Sequence, residues 1–407
     1  MSRIFIMASH ICAGESGGGH GVVYRLYMAD MKYGLFDREV IYVFGDRVIK
    51  GHEETGKILE QKDQPKQRPW RIKIKKYIPA FLRIGKMNRR IRDLQEYLDS
   101  LDKEFGFEED DIFLFHDFRI AYAFTQKYNY KRCSMIHHMQ GSIYYEWHAE
   151  TGIESKKMQQ YYNRLFQSIL EKIRYLCFPS MGTEESLVHS EPAIRSAVKA
   201  KERKYLYNGV SCPEIESSEL PVWVKELEKF EGYKFITVAN LNEAKAVERI
   251  PEYMGAIKKA GISFRWILVG NGVKASEVEE NIERYGLKNE VIWVKNSVQH
   301  TELMQLFSIA DFYILFHKYS IFDLSTLEAM HYGAIPILTP VGGNKEVIIQ
   351  NNGIFVTDFS DISLFRELIK SKNLKELKAL NHKIQMEKFD DRAFLERYVA
   401  LCDGMNE

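Results

Sequence analysis

Cysteine is scarce and scattered: Cys12, Cys133, Cys177, Cys212 and Cys402 form an odd set with no CxxC pair. This argues against a disulfide framework or a zinc site of paired thiols, and fits thiols kept reduced. Neither charge sign is in excess, with 57 Lys and Arg against 56 Asp and Glu and a formal net charge of +1. Charge by itself therefore says nothing of nucleic acid, and any basic partner surface must be local. No apolar run approaches the ~20 residues of a membrane span. The opening run Ile4 to Ala8 is too short for a signal-peptide core. Internal repeats and low-complexity segments are missing too. The expectation is a cytoplasmic protein.

What the chain has is core-forming material. Its 407 residues are 45% hydrophobic and 13% aromatic, enough for two or three domains or one large pair sharing a cleft. The informative stretch runs from Tyr313 to Glu346. Tyr313 to Phe316 reads as a buried strand, followed by a polar turn. Leu324, Leu327 and Met330 then fall at helical spacing, Tyr332-Gly333 closes that helix, and Ile335 to Leu338 reads as a second strand. Strand, helix and strand make a right-handed crossover of a parallel sheet. The loop after such a strand and the start of its helix face the ligand crevice, where free amides and the helix dipole suit a phosphate.

This stretch resembles the donor site of retaining glycosyltransferases with the GT-B fold, family 4 in particular. The shared residues are Leu327-Glu328-Ala329-Met330, Gly333, Pro336, Gly342-Gly343 and Glu346. The resemblance implies an α/β protein of two Rossmann-like doubly wound domains facing a central cleft. Its C-terminal helix would cross back to the first domain. Residues 1–213, joined by a helix at about 386–407, would form the acceptor side, and 220–385 the donor domain. Glu328 takes the position of the glutamate that binds the nucleotide ribose. Eight positions earlier, where the family has another glutamate, stands Ser320, and Asp323 stands where it has glycine. Lys245 matches a lysine that holds the diphosphate, whereas Asn240 replaces the partnering arginine. Lys295 would border the base, and Ser320, Phe322, Leu324 and Ser325 would line the donor. Asp323 has two readings, as an N-cap bonding the amides of Ser325 or Thr326, or as a contact to donor-sugar hydroxyls replacing the missing glutamate.

In the first half, a strand over Arg3 to Ser9 is followed by the glycine-rich run Gly14 to Gly21 and a helix marked by Val22, Val23, Leu26, Tyr27 and Met31. Gly18 and Gly19 allow close approach of backbone to a phosphate or sugar, and the family has a glycine loop near donor or acceptor here. The spacing is not GxGxxG, so a nicotinamide cofactor is not indicated. His116 ends one predicted strand and His137-His138 another. Adjacent histidines on an extended chain point opposite ways, which argues against a metal pair. The resemblance brings one of them, His138 or His137, to the donor sugar or phosphate. Lys62 to Arg92 carries twelve Lys and Arg with one acid, Asp63, and interleaved Trp70, Tyr77, Phe81 and Leu82. Its two readings are contact with an anionic membrane and a solvated helical face. No nucleic-acid module accompanies it.

The expected function is a metal-independent retaining glycosyltransferase of hexosyltransferase type. It would move a sugar from a nucleoside diphosphate sugar, a UDP-sugar favoured, to a saccharide or lipid-linked saccharide in surface polysaccharide or glycoconjugate synthesis. His138, Lys245 and Asp323 are the candidate catalytic residues, with no resident cofactor or metal. The location would be cytoplasmic, with peripheral contact at the inner membrane face. The rival is a non-catalytic GT-B adaptor that assists a partner glycosyltransferase, favoured by Ser320 and Asn240.

Overall fold

In a computed structural model of the chain, the described residues are 2–8, 19–44, 47–51, 78–215, 222–296, 298–371 and 373–405. Two compact units appear: Met1–Asn208 with Phe394–Glu407, and Gly209–Ala393.

The first unit is built on a sheet of β1 (Ile4–Ala8), β2 (Val40–Phe44), β3 (Arg47–Lys50), β4 (Ile112–Phe115), β5 (Cys133–Ile136), β6 (Tyr175–Phe178) and β7 (Glu202–Tyr205). Their spatial order is β3-β2-β1-β4-β5-β6-β7, and every pair is parallel except β2 with β3. Strand side chains alternate between faces, and the sheet follows this. Phe5, Met7, Phe113 and Phe115 join one buried cluster with residues of the helices Ala80–Phe105, Phe118–Lys127 and Lys156–Lys172. Ile4, Ile6, Ile112 and Leu114 join another with the helix Gly19–Tyr33 and with Phe394, Leu395 and Tyr398 of the last helix, Asp391–Asp403. A sheet apolar on both faces needs helices on both, which is the doubly wound arrangement.

The second unit has a parallel sheet of β8 (Tyr233–Val238), β9 (Phe264–Val269), β10 (Val291–Val294), β11 (Phe312–Leu315), β12 (Ile335–Leu338) and β13 (Ile354–Phe355). The order is β10-β9-β8-β11-β12-β13. Winding reverses between β8 and β11, so the loops after these two strands flank the point where such sheets bind ligands. The fold is thus α/β with two Rossmann-like sheets.

Apolar spacing over Glu146 to Leu176 reads as one helix, but the chain forms two there, Ile143–Thr151 and Lys156–Lys172. Gly152 ends the first at φ 64° and the Ser155 side chain caps the second. The tail from Leu364 divides into Ser363–Ser371, Leu374–Lys388 and Asp391–Asp403. Pro79 stands at the N-cap of Ala80–Phe105. Residues 52–77, most of the basic stretch, lie outside the described residues, as does Gly18. No described helix is long and apolar enough to cross a membrane.

Inside the second sheet, Thr237 ties three strands together. Its hydroxyl donates to the Ile314 carbonyl at 2.6 Å and accepts from Trp266 Nε1 at 3.0 Å, all of it buried. Thr237→Val keeps the shape but strands a donor and an acceptor, each costing about 1–3 kcal/mol. The variant should unfold at lower urea concentration with an unchanged denaturant slope. An unaltered midpoint would show that the hydroxyl carries no such weight.

Candidate functional site

In the second unit, Lys245 and Asp323 come from the loops after β8 and β11, at the reversal point. They form an ion pair, with Asp323 almost wholly buried. Lys245 Nζ also lies 3.1 Å from His317 Nε2, and His317 Nε2 is 3.6 Å from Asp323 Oδ1. The other carboxylate oxygen of Asp323 accepts from Tyr313 at 3.1 Å, the Thr326 hydroxyl at 2.7 Å and the Thr326 amide at 3.1 Å. Asp323 is therefore the N-cap of the helix Leu324–His331 and the partner of Lys245 at once. Burial alone would raise its pKa; Lys245 and His317 outweigh that and hold it well below the usual carboxylate value. Burial, then the Lys245 charge, lowers His317. Burial and Asp323 hold the Tyr313 phenol well above its usual value.

The cap takes the Thr326 amide. Among the described residues, no acceptor is seen for the amides of Leu324 and Ser325. One turn further along the helix is Glu328, buried, with His300 Nε2 at 3.7 Å from its carboxylate. Buried carboxylates without full hydrogen bonding are costly unless a ligand supplies donors.

Glycines set the surrounding backbone. A Cβ on Gly342, at φ 49°, would lie 1.9 Å from the Ser320 carbonyl oxygen, and one on Gly343 would lie 2.1 Å from that of Ile321. Gly343 instead donates its amide to Ser320 O at 3.1 Å. The Gly-Gly turn thus seats the loop before the capped helix. Within that loop the Ser320 hydroxyl is buried with no partner among the described residues. Phe322 turns its ring to Phe389, with centroids 5.5 Å apart.

Asn240 is exposed at the start of the loop after β8. Two cations that sequence reasoning did not single out stand near it. Lys274 reaches Glu243 at 3.4 Å and Lys318 pairs with the same carboxylate. The Lys318 amide donates to the Ala244 carbonyl at 2.9 Å, binding the two loops. Lys295 lies over Trp293, 4.3 Å from the ring centre, and pairs with Glu279 at 3.2 Å.

The first unit holds the other candidates. Gly19 is the first residue of its helix. His137 is buried between the rings of Phe166 and Phe178 and donates Nε2–H to the Gly141 carbonyl at 2.8 Å, with burial lowering its pKa to about 4. It is a neutral core residue. His138 is paired instead: its Nε2 lies 2.8 Å from His116 Nδ1 with the rings stacked at 5.1 Å. Burial, then His138, holds His116 neutral.

Residues 222–386 match the family model described as Glycosyl transferases group 1. The matched residues lie within the second unit. Three solved structures share the fold of the entire chain. Sucrose-phosphate synthase from Thermosynechococcus elongatus is 16% identical with a TM-score of 0.65, covering 100% of this chain and 99% of its own. The trehalose-6-phosphate phosphatase N-terminal domain of Candida albicans is 14% identical with a TM-score of 0.68, covering 100% and 97%. A structure described as trehalose-6-phosphate from E. coli bound with UDP-2-fluoro glucose is 15% identical with a TM-score of 0.65, covering 98% and 99%. No curated protein sequence matches significantly. The chain is a GT-B protein, and the residues around Lys245, Asp323 and Glu328 all lie in the span that matches the glycosyltransferase model.

The network sets a pH dependence. Because folding depresses the His317 pKa, the unfolded chain binds a proton near its ordinary 6.5 that the folded chain refuses, so stability falls as pH drops below that value. Asp323 adds a second loss further into acid: its contribution is complete above 3.8 and vanishes as pH falls through its lower folded pKa. In urea titrations between about pH 7 and about pH 5, where the imidazole rather than the carboxylate changes state, His317→Gln should lose less stability than the natural chain. Parallel losses would remove His317 from this account.

Proposed function

We propose that the protein is a retaining glycosyltransferase that moves a sugar from a nucleoside diphosphate sugar, a UDP-sugar favoured, to a saccharide or lipid-linked saccharide. The observation carrying this reading is the convergence, at the reversal point of the second sheet, of Lys245, the Leu324 and Ser325 amides and the buried Glu328. Sugar transfer from such a donor requires stabilising the diphosphate as the anomeric bond breaks. Lys245 supplies a cation and the helix start supplies amides and a positive dipole end. Glu328 offers two oxygens to the ribose hydroxyls, with His300 helping to set its orientation. The neighbour bound with UDP-2-fluoro glucose supports a UDP-sugar. This chemistry asks for no metal.

Asp323 alters how the site works. It occupies Lys245 before any phosphate arrives, so the diphosphate and the carboxylate compete for one cation. In the productive complex Lys245 turns from Asp323 toward the diphosphate, and the freed Asp323 oxygen faces the donor sugar. The capping oxygen stays with Thr326, so the two sequence readings of Asp323 describe two oxygens of one carboxylate.

Calorimetric titration with UDP, GDP, ADP and their sugar conjugates tests this. One nucleotide should bind, and Glu328→Ala should weaken it at least about tenfold, equivalent to about 1.4 kcal/mol. Asp323→Asn keeps the cap but frees Lys245, so the bare nucleotide should bind more tightly while the sugar conjugate loses its advantage. Failure of every nucleotide to bind would sink the enzyme reading and favour the adaptor.

We further propose peripheral contact with an anionic membrane through the start of the helix Ala80–Phe105. Phe81 and Leu82 are 69% and 53% exposed there, beside Arg83, Lys86 and Arg89. Exposed apolar side chains rimmed by cations suit an interfacial helix. The chain should co-sediment with vesicles containing phosphatidylglycerol, more weakly with phosphatidylcholine alone, and Phe81→Ser with Leu82→Ser should abolish the difference. Equal sedimentation of the natural and doubly substituted chains would refute the contact.

A further inference from the structure

Three polar atoms meet on one side of Asp323. Lys245 Nζ bonds Asp323 Oδ1, His317 Nε2 lies 3.1 Å from that Nζ, and His317 Nε2 is 3.6 Å from the same carboxylate oxygen. The imidazole is buried, with 1% of its side chain exposed, whereas the Lys245 side chain is 28% exposed. Lys245 therefore has room to swing outward, and His317 is held in place. A separation of 3.6 Å is too long for a hydrogen bond. With Lys245 at rest, His317 is a neighbour of the carboxylate and not its partner.

Which nitrogen carries the imidazole hydrogen follows from the other side of the ring. Asn344, buried, opens the short helix Asn344–Val347 directly after the Gly342-Gly343 turn. Its Nδ2 lies 3.0 Å from the Thr339 carbonyl oxygen and 3.4 Å from His317 Nδ1. A carbonyl only accepts, so the nitrogen of the Asn344 amide, and not its oxygen, must face Thr339. The second hydrogen of that nitrogen serves His317 Nδ1, which makes Nδ1 an acceptor. Burial and the Lys245 charge keep the ring neutral, and a neutral imidazole then holds its hydrogen on Nε2, the nitrogen beside Asp323. The Thr339 hydroxyl donates to the His317 carbonyl at 2.7 Å and fixes the backbone under the ring.

We infer that His317 is a positioning residue that takes over Asp323 Oδ1, by a hydrogen bond from Nε2, when Lys245 turns to a nucleoside diphosphate. A buried carboxylate stripped of its cation is costly unless another donor satisfies it. His317 supplies that donor from inside the core, already oriented by Asn344. The exchange draws no proton from solvent and leaves the carboxylate negative, so its charge stays available to the sugar through a second lone pair. The departure of Lys245 rests on the glycosyltransferase reading. The exchange of partners does not, because replacing the lysine brings it about in the ligand-free chain.

Nitrogen NMR of the full chain, labelled at histidine, reads the exchange; the signal lost in His317→Leu identifies the ring. In the natural chain His317 should carry its hydrogen on Nε2, with Nδ1 bare. In Lys245→Met the Nε2 proton should move downfield and exchange more slowly with water, as a bond to a carboxylate requires. Adding Asp323→Asn to that variant should reverse both changes. UDP added to the natural chain should produce the same downfield shift. His317→Leu should weaken UDP binding at least about tenfold, as loss of a hydrogen bond to a charged group does, but should change nothing in a chain already carrying Asp323→Asn. A hydrogen found on Nδ1 of the natural chain, or an Nε2 proton indifferent to Lys245→Met, overturns the inference whatever UDP does. UDP that binds without moving the Nε2 proton also overturns it and leaves the glycosyltransferase reading standing. UDP that fails to bind, with the Lys245→Met shift present, counts against that reading and supports the exchange of partners.

Discussion

The second unit depends on one ion pair, between the buried Asp323 and the partly buried Lys245. Taking Asp323 and Lys245 out of water is expensive, and their attraction compensates only where the remaining hydrogen-bonding capacity is used. Here it is: Tyr313, Thr326 and His317 surround the carboxylate, drawing in β11, the capped helix and the loop after β8. Removing the Lys245 charge leaves the Asp323 carboxylate buried without its cation, which in proteins costs roughly 3–5 kcal/mol, whereas Lys245 is partly open to solvent. The pair therefore fixes the loop geometry before a ligand arrives. The Gly342-Gly343 turn closes against the same loop from β12, in a space that admits no side chain.

The fold was legible from this sequence wherever apolar runs were short and sharply bounded. The helix Leu324–His331 and the strand Ile335–Leu338 lie where the apolar spacing put them. β3 and β7 were missed because both are four-residue edge strands without a core-strand pattern: β3 brings only Val48 and Ile49 as apolar residues, and Glu202–Tyr205 is largely polar and only partly covered. The break between the helices at Gly152 had a signal in the sequence, a glycine followed by a capping serine, but continuous helical periodicity outweighed it.

The site was legible by residue and not by connection. Lys245, Asp323 and Glu328 stand on the loops and helix expected of them, yet Lys245 and Asp323 are 78 positions apart and nothing local announces their bond. His317 could have been found by the argument applied to the other histidines, since it lies just past the end of β11. His300 could not, because only the tertiary fold brings it to Glu328. Of the adjacent histidines, burial distinguishes them: one faces the core and the other pairs with His116.

The departures at Ser320 and Asp323 form a single change when seen in three dimensions. The carboxylate that the resemblance leads one to expect at position 320 is missing, and another stands three residues later, buried and paired with Lys245. A phosphate charge ~5 Å from an unscreened carboxylate meets about 3 kcal/mol of repulsion at an effective dielectric constant of ~20. That opposes ground-state binding more than it opposes reaction. In the mechanism we propose, negative charge grows on the diphosphate as the anomeric bond breaks and strengthens its hold on Lys245, while positive charge on the sugar ring is drawn to the released Asp323. Interactions that strengthen toward the transition state raise turnover, whereas those already complete in the ground state do not. Under the proposed mechanism, a site neutral at rest therefore sacrifices donor affinity and recovers the difference in the chemical step.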